Sequence, residues 1–411
     1  MYIRESNNNI RNAAKIMMLL YIASLNYIAI VWGRIADLLF LSFALYSVLY
    51  AITNGIDRKR FNRVAVFIVG ILILLFVTYF RAPNRSAALT GSWTIIQLLA
   101  FDFCLMITIE EPDDIRRCLL AYIIGSYIMI AFVLSKTGLR FMSILPTWRF
   151  VMSGEVNVNS IGAASGYSVV ILLHLYREER KKLYIYLMIL PSLFVIATAS
   201  RASMLIIVFG IITSVFFSGS RGAGVRLLIV IGSLVMLYQL MKVFNLFPDF
   251  TSRFDQLLSV REGIENSDGS TISRYEMLIY GLDEIKKRPI FGYGAGQFRF
   301  FGISGHYLGA HNGLIQIGHA FGLVGLTFWY GNMVQAIFRI MNRKRQGPEY
   351  WVAVLAIVQI LMIISSQPLT TKISHMFLTL LLVSSVLVDE DITNDVTVDA
   401  VSLHEVKGYI K

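Results

Sequence analysis

The chain has 411 residues, of which 56% are hydrophobic and only 15% charged, and its mean hydropathy is +0.64. A soluble domain carries nearer a quarter charged residues, so a soluble globular chain is excluded. The net charge of +11 does not point to nucleic acid, because the basic residues fall between apolar runs and not along one face.

Apolar runs long enough to cross ~30 Å of hydrocarbon recur along nearly the whole length. They predict an all-α, polytopic membrane protein of about twelve transmembrane helices, forming one integral membrane domain over residues 1–411. The polar start MYIRESNNNIRNAAK and the lack of a small-residue cleavage site after it speak against a cleavable signal. The spans are expected near 15–31, 35–53, 64–80, 92–109, 118–135, 160–176, 183–199, 202–218, 225–242, 312–337, 350–366 and 373–388. Cys104 and Cys118 sit in or beside such runs and read as small buried hydrophobes, with neither metal nor disulfide spacing.

Charge sets the expected orientation. With the N-terminus in the cytoplasm, 21 of the 37 Lys and Arg fall on the inside segments, as the positive-inside rule asks. Both termini are then cytoplasmic, and 389–411 is a cytoplasmic tail. The segment 243–311 becomes one large extracytoplasmic loop, long enough to escape the rule. Its first half is irregular and polar. A helix is expected from Thr271 to Lys287, with Ile272, Tyr275, Leu278, Ile279, Leu282 and Ile285 on one face. Ser270 or Thr271 can cap it and Pro289 ends it. The glycines at 292, 294 and 296 then turn the chain back to the membrane. No internal repeat is visible, which weakens a transporter built from inverted halves.

Chemistry-bearing residues cluster at the expected outer boundary. Arg201 lies in the tight hairpin FVIATASRASMLIIVF, either reaching for lipid head groups or forming an anion site. Arg274 is in the first turn of the loop helix, where the helix end also favours anions, and reads otherwise as a solvated arginine. Lys286, Lys287 and Arg288 complement the other helix end, and Arg288 is a substrate-binding candidate. Gly294 belongs to a turn through which the backbone can approach a ligand, not to a dinucleotide loop, because no βαβ unit surrounds it. His311, followed by Asn312, opens a span at its outer end and can exchange a proton near neutral pH, or hold a structural hydrogen bond. His319, two turns further on, reads as structural. Asp102 lies near mid-membrane, a functional candidate by default or half of an ion pair. Asn157 and Asn159 precede a span at the outer face and can line the same entrance. Outside the acidic tail, which holds Asp389-Glu390-Asp391, no Asp-x-Asp pair is visible, nor is a metal-ligand cluster or nucleophilic serine motif, so neither metal nor cofactor is expected.

These pieces are recognisable together. The Ser200-Arg201 hairpin, the loop helix SRYEMLIYGLDEIKKRPIFGYGAGQF and AHNGLIQIGHAFGLVGL resemble the bacterial O-antigen ligase and polysaccharide polymerase superfamily. A weaker piece is GEVNVNSIGAASG, where Val158 precedes Asn159 in place of the commoner proline. The resemblance implies a metal-independent, inverting glycosyltransferase of the polyprenyl-phosphate-sugar-dependent kind in the bacterial inner membrane, with its site facing outward. Its donor would be an oligosaccharide on undecaprenyl pyrophosphate. Arg201 and Arg274 would bind the pyrophosphate as it leaves, and His311 would deprotonate the acceptor hydroxyl. The expected activity is that of a polymerase, moving a growing glycan to the next lipid-linked repeat unit, with a separate chain-length regulator as a possible partner. The alternatives are a ligase that uses lipid A–core or another acceptor, and a flippase without covalent chemistry.

Overall fold

The computed structural model describes residues 2–27, 33–137, 157–217, 222–245, 251–252, 255, 269–302 and 307–389. The tail beyond 389 and nearly all of 246–268, the polar first half of the long loop, lie outside the described residues. Among the described residues the chain is almost wholly helical. In order come α1 (Tyr2–Ser24), α2 (Gly33–Asn54), α3 (Arg58–Tyr79), α4 (Arg85–Thr108), α5 (Pro112–Thr137), α6 (Val158–Glu179) and α7 (Leu183–Ala197). They are followed by α8 (Arg201–Phe216), α9 (Ala223–Val243), α10 (Gly269–Lys287), α11 (Gly313–Arg343), α12 (Pro348–Leu361) and α13 (Lys372–Asp389). A two-residue antiparallel ladder, β1 (Phe300–Phe301) with β2 (Tyr307–Leu308), closes the end of the loop.

A helix stands at each of the twelve expected spans, though the first reaches back to Tyr2 and ends at Ser24. Seven helices, α2 to α6, α9 and α13, are long and apolar enough to cross a membrane. Helices α7, α8 and α12 are apolar but shorter. The chain is thus a multi-pass membrane protein by length and composition.

Rows of apolar side chains on α2 and α3, among them Leu38, Leu41, Leu45, Val66, Val69 and Ile73, face outward at helical spacing. That outward face suits lipid, since hydrocarbon exacts no penalty for exposed Leu or Val. Enclosure grows toward the middle: Tyr350 to Ala356 of α12 and most of α6 and α13 are buried. At the end away from the loop, Lys15 of α1 pairs with buried Asp114 of α5 at 2.6 Å. The same carboxylate accepts the N–H groups of Glu110 and Glu111 at 3.0 and 3.3 Å, so it is held by charge and by backbone donors together.

Helix α11 is not continuous. Gly322 sits at φ 66°, ψ −160°, a conformation open essentially to glycine alone, and the helix breaks there. A break inside an apolar bundle frees backbone groups that lipid cannot satisfy. The end of the long loop satisfies them. Tyr293 and Gly294 donate their N–H groups to the carbonyls of His319 and Ala320, at 2.8 and 2.9 Å. In return, Leu323 and Val324 donate to the carbonyls of Pro289 and Ile290, at 2.7 and 3.2 Å. The expected uninterrupted span over 312–337 is therefore corrected to two helical pieces joined at a loop-filled break.

The glycine run makes the docking possible. Gly292, Gly294 and Gly296 all have positive φ, and Gly296 lies against the backbone of Ala87 and Gly91 on α4. The loop is pinned on its other side too, where Gln297 and Asn84 exchange hydrogen bonds at 2.8 and 3.1 Å.

Candidate active site

Helix α10 lies on the start of α11, and the contact is narrowest at Gly281, where an added Cβ would stand 2.4 Å from Ile315 Cγ2. The buried face is therefore Met277, Gly281 and Ile285, flanked by Leu278 and Leu282, while Tyr275 and Ile279 are exposed. The expected apolar face is rotated because glycine adds nothing to a hydrophobic pattern yet permits the closest helix approach. The rotation puts Arg274, one turn before Met277, on the side that faces His311.

The elements that carry the three residues expected to do the chemistry come together here. Helices α7 and α8 are joined by a three-residue turn with Ala199 at φ 45°, so Arg201 starts α8 at its positive end. Arg201 Nη2 donates to Thr271 Oγ1 at 2.9 Å, tying the hairpin to the first turn of α10. Arg274 lies three residues further along α10. His311 donates its backbone N–H to Met277 Sδ at 3.5 Å. Its imidazole pKa is held below the ordinary value, first by burial and then by the positive charge of Arg274.

Asn312 has a structural place: its side-chain oxygen caps α11 by accepting from Leu314 and Ile315 at 2.9 and 3.2 Å. A residue with no sequence signal completes the group. Gln367, in the turn between α12 and α13, donates its side-chain amide to His311 Nδ1 at 2.9 Å and to the Ala310 carbonyl at 3.0 Å. That turn is itself fixed to α11: Gln316 donates to Thr370 Oγ1 at 2.8 Å and accepts from the Leu369 N–H at 3.0 Å.

The other candidates lie in different contacts. Arg288 donates to the Arg81 carbonyl at 2.8 Å and stacks its guanidinium 4.6 Å from the Tyr293 ring, fastening the loop to the turn between α3 and α4. Gly294 is buried close to Thr78. Asn159 is in the first turn of α6, where Asn157 caps the helix through the Asn159 N–H. His319 stacks flat on Tyr293, with ring centres 4.7 Å apart, and packs edge-on to Phe298. Asp102 is enclosed between α4 and α13: it accepts from His375 Nδ1 and Thr379 Oγ1, both at 2.7 Å. These contacts of the five run to other residues. An open apolar groove of about 570 Å³ runs along α11 beyond the break, lined by Leu323, Phe328 and Gln335 among others, and holds none of the three.

Helix α10 starts at Gly269, two residues earlier than expected, so Arg274 is in its second turn and not its first, and only Arg201 stands at a helix N-terminus. Two guanidiniums and an imidazole supply hydrogen-bond donors of the kind that suit an oxyanion such as a pyrophosphate. Comparison with known families agrees in place. Residues 186–330 match the family model described as O-antigen ligase, a stretch that runs from α7 past the break in α11 and includes Arg201, Arg274, His311 and Asn312. The match supports the O-antigen ligase and polymerase superfamily. No curated protein matches the chain.

Proposed function

We propose that the protein is a glycosyltransferase that moves a growing glycan from undecaprenyl pyrophosphate to the next lipid-linked repeat unit, at the outer face of the bacterial inner membrane. The observation that supports the reading is the approach of α8, α10 and the start of α11: Arg201 bonds Thr271 in the first turn of α10, and Arg274 in its second turn acts on the His311 imidazole. Pyrophosphate is already a good leaving group, so the barrier lies in the charge that develops on it as the sugar departs. Fixed guanidiniums stabilise that charge without a metal. Attack from the opposite side of the sugar inverts the anomeric centre. The long loop faces outward by the positive-inside distribution of charge, where lipid-linked and not nucleotide-linked sugars are available.

The test is a reconstitution with the purified full chain, undecaprenyl-pyrophosphate-linked repeat units and a chelator. A ladder of products is expected, lost in Arg201→Ala, Arg274→Ala and His311→Ala. Lysine at either arginine should restore only part of the rate, because bidentate geometry is lost. Transfer only after lipid A–core is added would make the protein a ligase. Transfer to neither acceptor would overturn the reading.

A further inference from the structure

We propose that Gln367 is a positioning residue that holds His311 in the tautomer protonated on Nε2, so that His311 donates a hydrogen bond to the reacting pyrophosphate and is not the base. The inference rests on the glycosyltransferase reading and assigns a role within the same site.

The argument starts from the Ala310 carbonyl, which can only accept. Gln367 approaches it at 3.0 Å, so the amide nitrogen and not the amide oxygen is on that side. The same nitrogen is 2.9 Å from His311 Nδ1. An NH₂ group has no lone pair to offer, so Nδ1 must accept. A neutral imidazole carries one proton, and it is therefore on Nε2. For His311 to act as a base it would have to take a proton on Nδ1, against the amide donor, or give up the proton it holds on Nε2 first.

The main chain that carries the amide is held in place. The Gln367 backbone carbonyl accepts from Thr371 Oγ1 at 3.0 Å, and the next residues of the turn are bound to Gln316 on α11, five residues from His311. Rotating the amide by half a turn would set its oxygen against the Ala310 carbonyl. The imidazole and its orienting group are thus fixed to one helix end. Arg274 acts on the imidazole by its charge, and Arg201 is bonded to Thr271 one turn before Arg274 on α10, so donors outnumber acceptors around His311, which suits an oxyanion more than an acceptor hydroxyl.

The transfer balances without a base from His311. The bond from the sugar C1 to the pyrophosphate oxygen breaks, and its electron pair stays on that oxygen, where Arg201, Arg274 and the His311 N–H stabilise it. The acceptor hydroxyl oxygen forms the new bond to C1. As it does so its proton becomes strongly acidic and passes to water.

The test uses the full chain and the ladder assay with two substitutions that pull in opposite directions. His311→Gln places an amide donor near Nε2 with no basic nitrogen; it should keep a rate within about tenfold of wild type, whereas loss of a general base costs about 100- to 10,000-fold. Gln367→Glu accepts from Nδ1–H and turns the ring into a base at Nε2; it should lower the rate at least tenfold. The opposite pattern, an inactive His311→Gln with an active Gln367→Glu, overturns the proposal. A second readout does not depend on activity. In ¹⁵N-histidine-labelled protein, the His311 signal, identified by its loss in His311→Ala, should report the Nε2–H tautomer in wild type and the Nδ1–H tautomer in Gln367→Glu. An Nδ1–H signal in wild type overturns the proposal even if both variants are inactive. A wild type that makes no product in any assay would sink the glycosyltransferase reading instead, and the tautomer would still be read.

Discussion

Gly322→Ala tests the broken helix directly. A Cβ at this position would stand 2.3 Å from the Ile290 oxygen, 2.4 Å from the Ile290 carbonyl carbon and 2.6 Å from the Pro289 oxygen. All three are backbone atoms, so no side-chain rotation relieves the clash. The φ/ψ pair alone costs an alanine about 1–3 kcal/mol. The loop must also withdraw, which breaks the bonds from Leu323 to Pro289 and from Val324 to Ile290, each worth about 0.5–1.5 kcal/mol net. Together these give about 2–6 kcal/mol. Gly331 of the same helix has nothing within 4 Å of its added Cβ, so Gly331→Ala should be neutral or stabilise by up to about 1 kcal/mol. Denaturation of the two variants in detergent, followed by tryptophan fluorescence, to which buried Trp329 and Trp351 contribute, compares them under one condition. If Gly322→Ala unfolds together with Gly331→Ala, α11 is continuous through 322 and the docking of the loop is wrong.

Three other outcomes follow from the contacts. Removing either Asp102 or His375 strands a fully buried polar partner at a cost of about 1–3 kcal/mol, while replacing both with leucine should cost less than the two singles together; strict additivity in denaturation would refute the pairing. Gly281→Ala should push α10 off Ile315 and lower the turnover rate, and Ile315→Ala in the same chain should recover part of it, since the clash is with that side chain; no recovery would refute the contact. The lowered pKa of His311, which faces the charged Arg274 and the uncharged Met277 and Gln367, leaves more than half of the imidazole neutral as pH falls from about 8 to its ordinary value near 6.5. Initial rates should therefore lose less than half to His311 in that range; a larger fall there that vanishes in His311→Gln would refute the assignment.

What could be read in the chain, and what could not, divides along sequence distance. Runs such as 35–53 and 160–176 announce helices because their length and apolarity leave no other way to satisfy a backbone in lipid. Arg201, Arg274 and His311 stand out because charge is scarce here and each lies at the edge of an apolar run. The break at Gly322 was hidden, since GHAFGLVGL reads as an ordinary small-residue helix until the loop that completes it is in place. Gln367 carries no motif and reaches His311 only through the turn after α12, 56 residues on. Asp102 was visible as an anomaly, but its partner is 273 residues away. The rotated face of α10 depended on Gly281, which a hydrophobic count passes over.

These hidden features bear on why the legible residues can work. A guanidinium lowers a barrier only if it is in place before charge develops, because moving it afterwards costs what it would have contributed. Arg274 is on a helix outside the apolar bundle, the sort of element that would otherwise drift. Its N-terminal turn is tied by Arg201 to Thr271. Its C-terminal end runs directly into the segment 289–294, which is locked by four main-chain hydrogen bonds into the gap in α11. His311 is fixed to the same α11 by Asn312 and to the turn after α12 by Gln367. The break in the membrane helix therefore serves as the anchor that makes a loop-borne arginine rigid. It follows that substitutions at Gly322 or in the glycine run, which touch no substrate, should lower the turnover rate alongside stability.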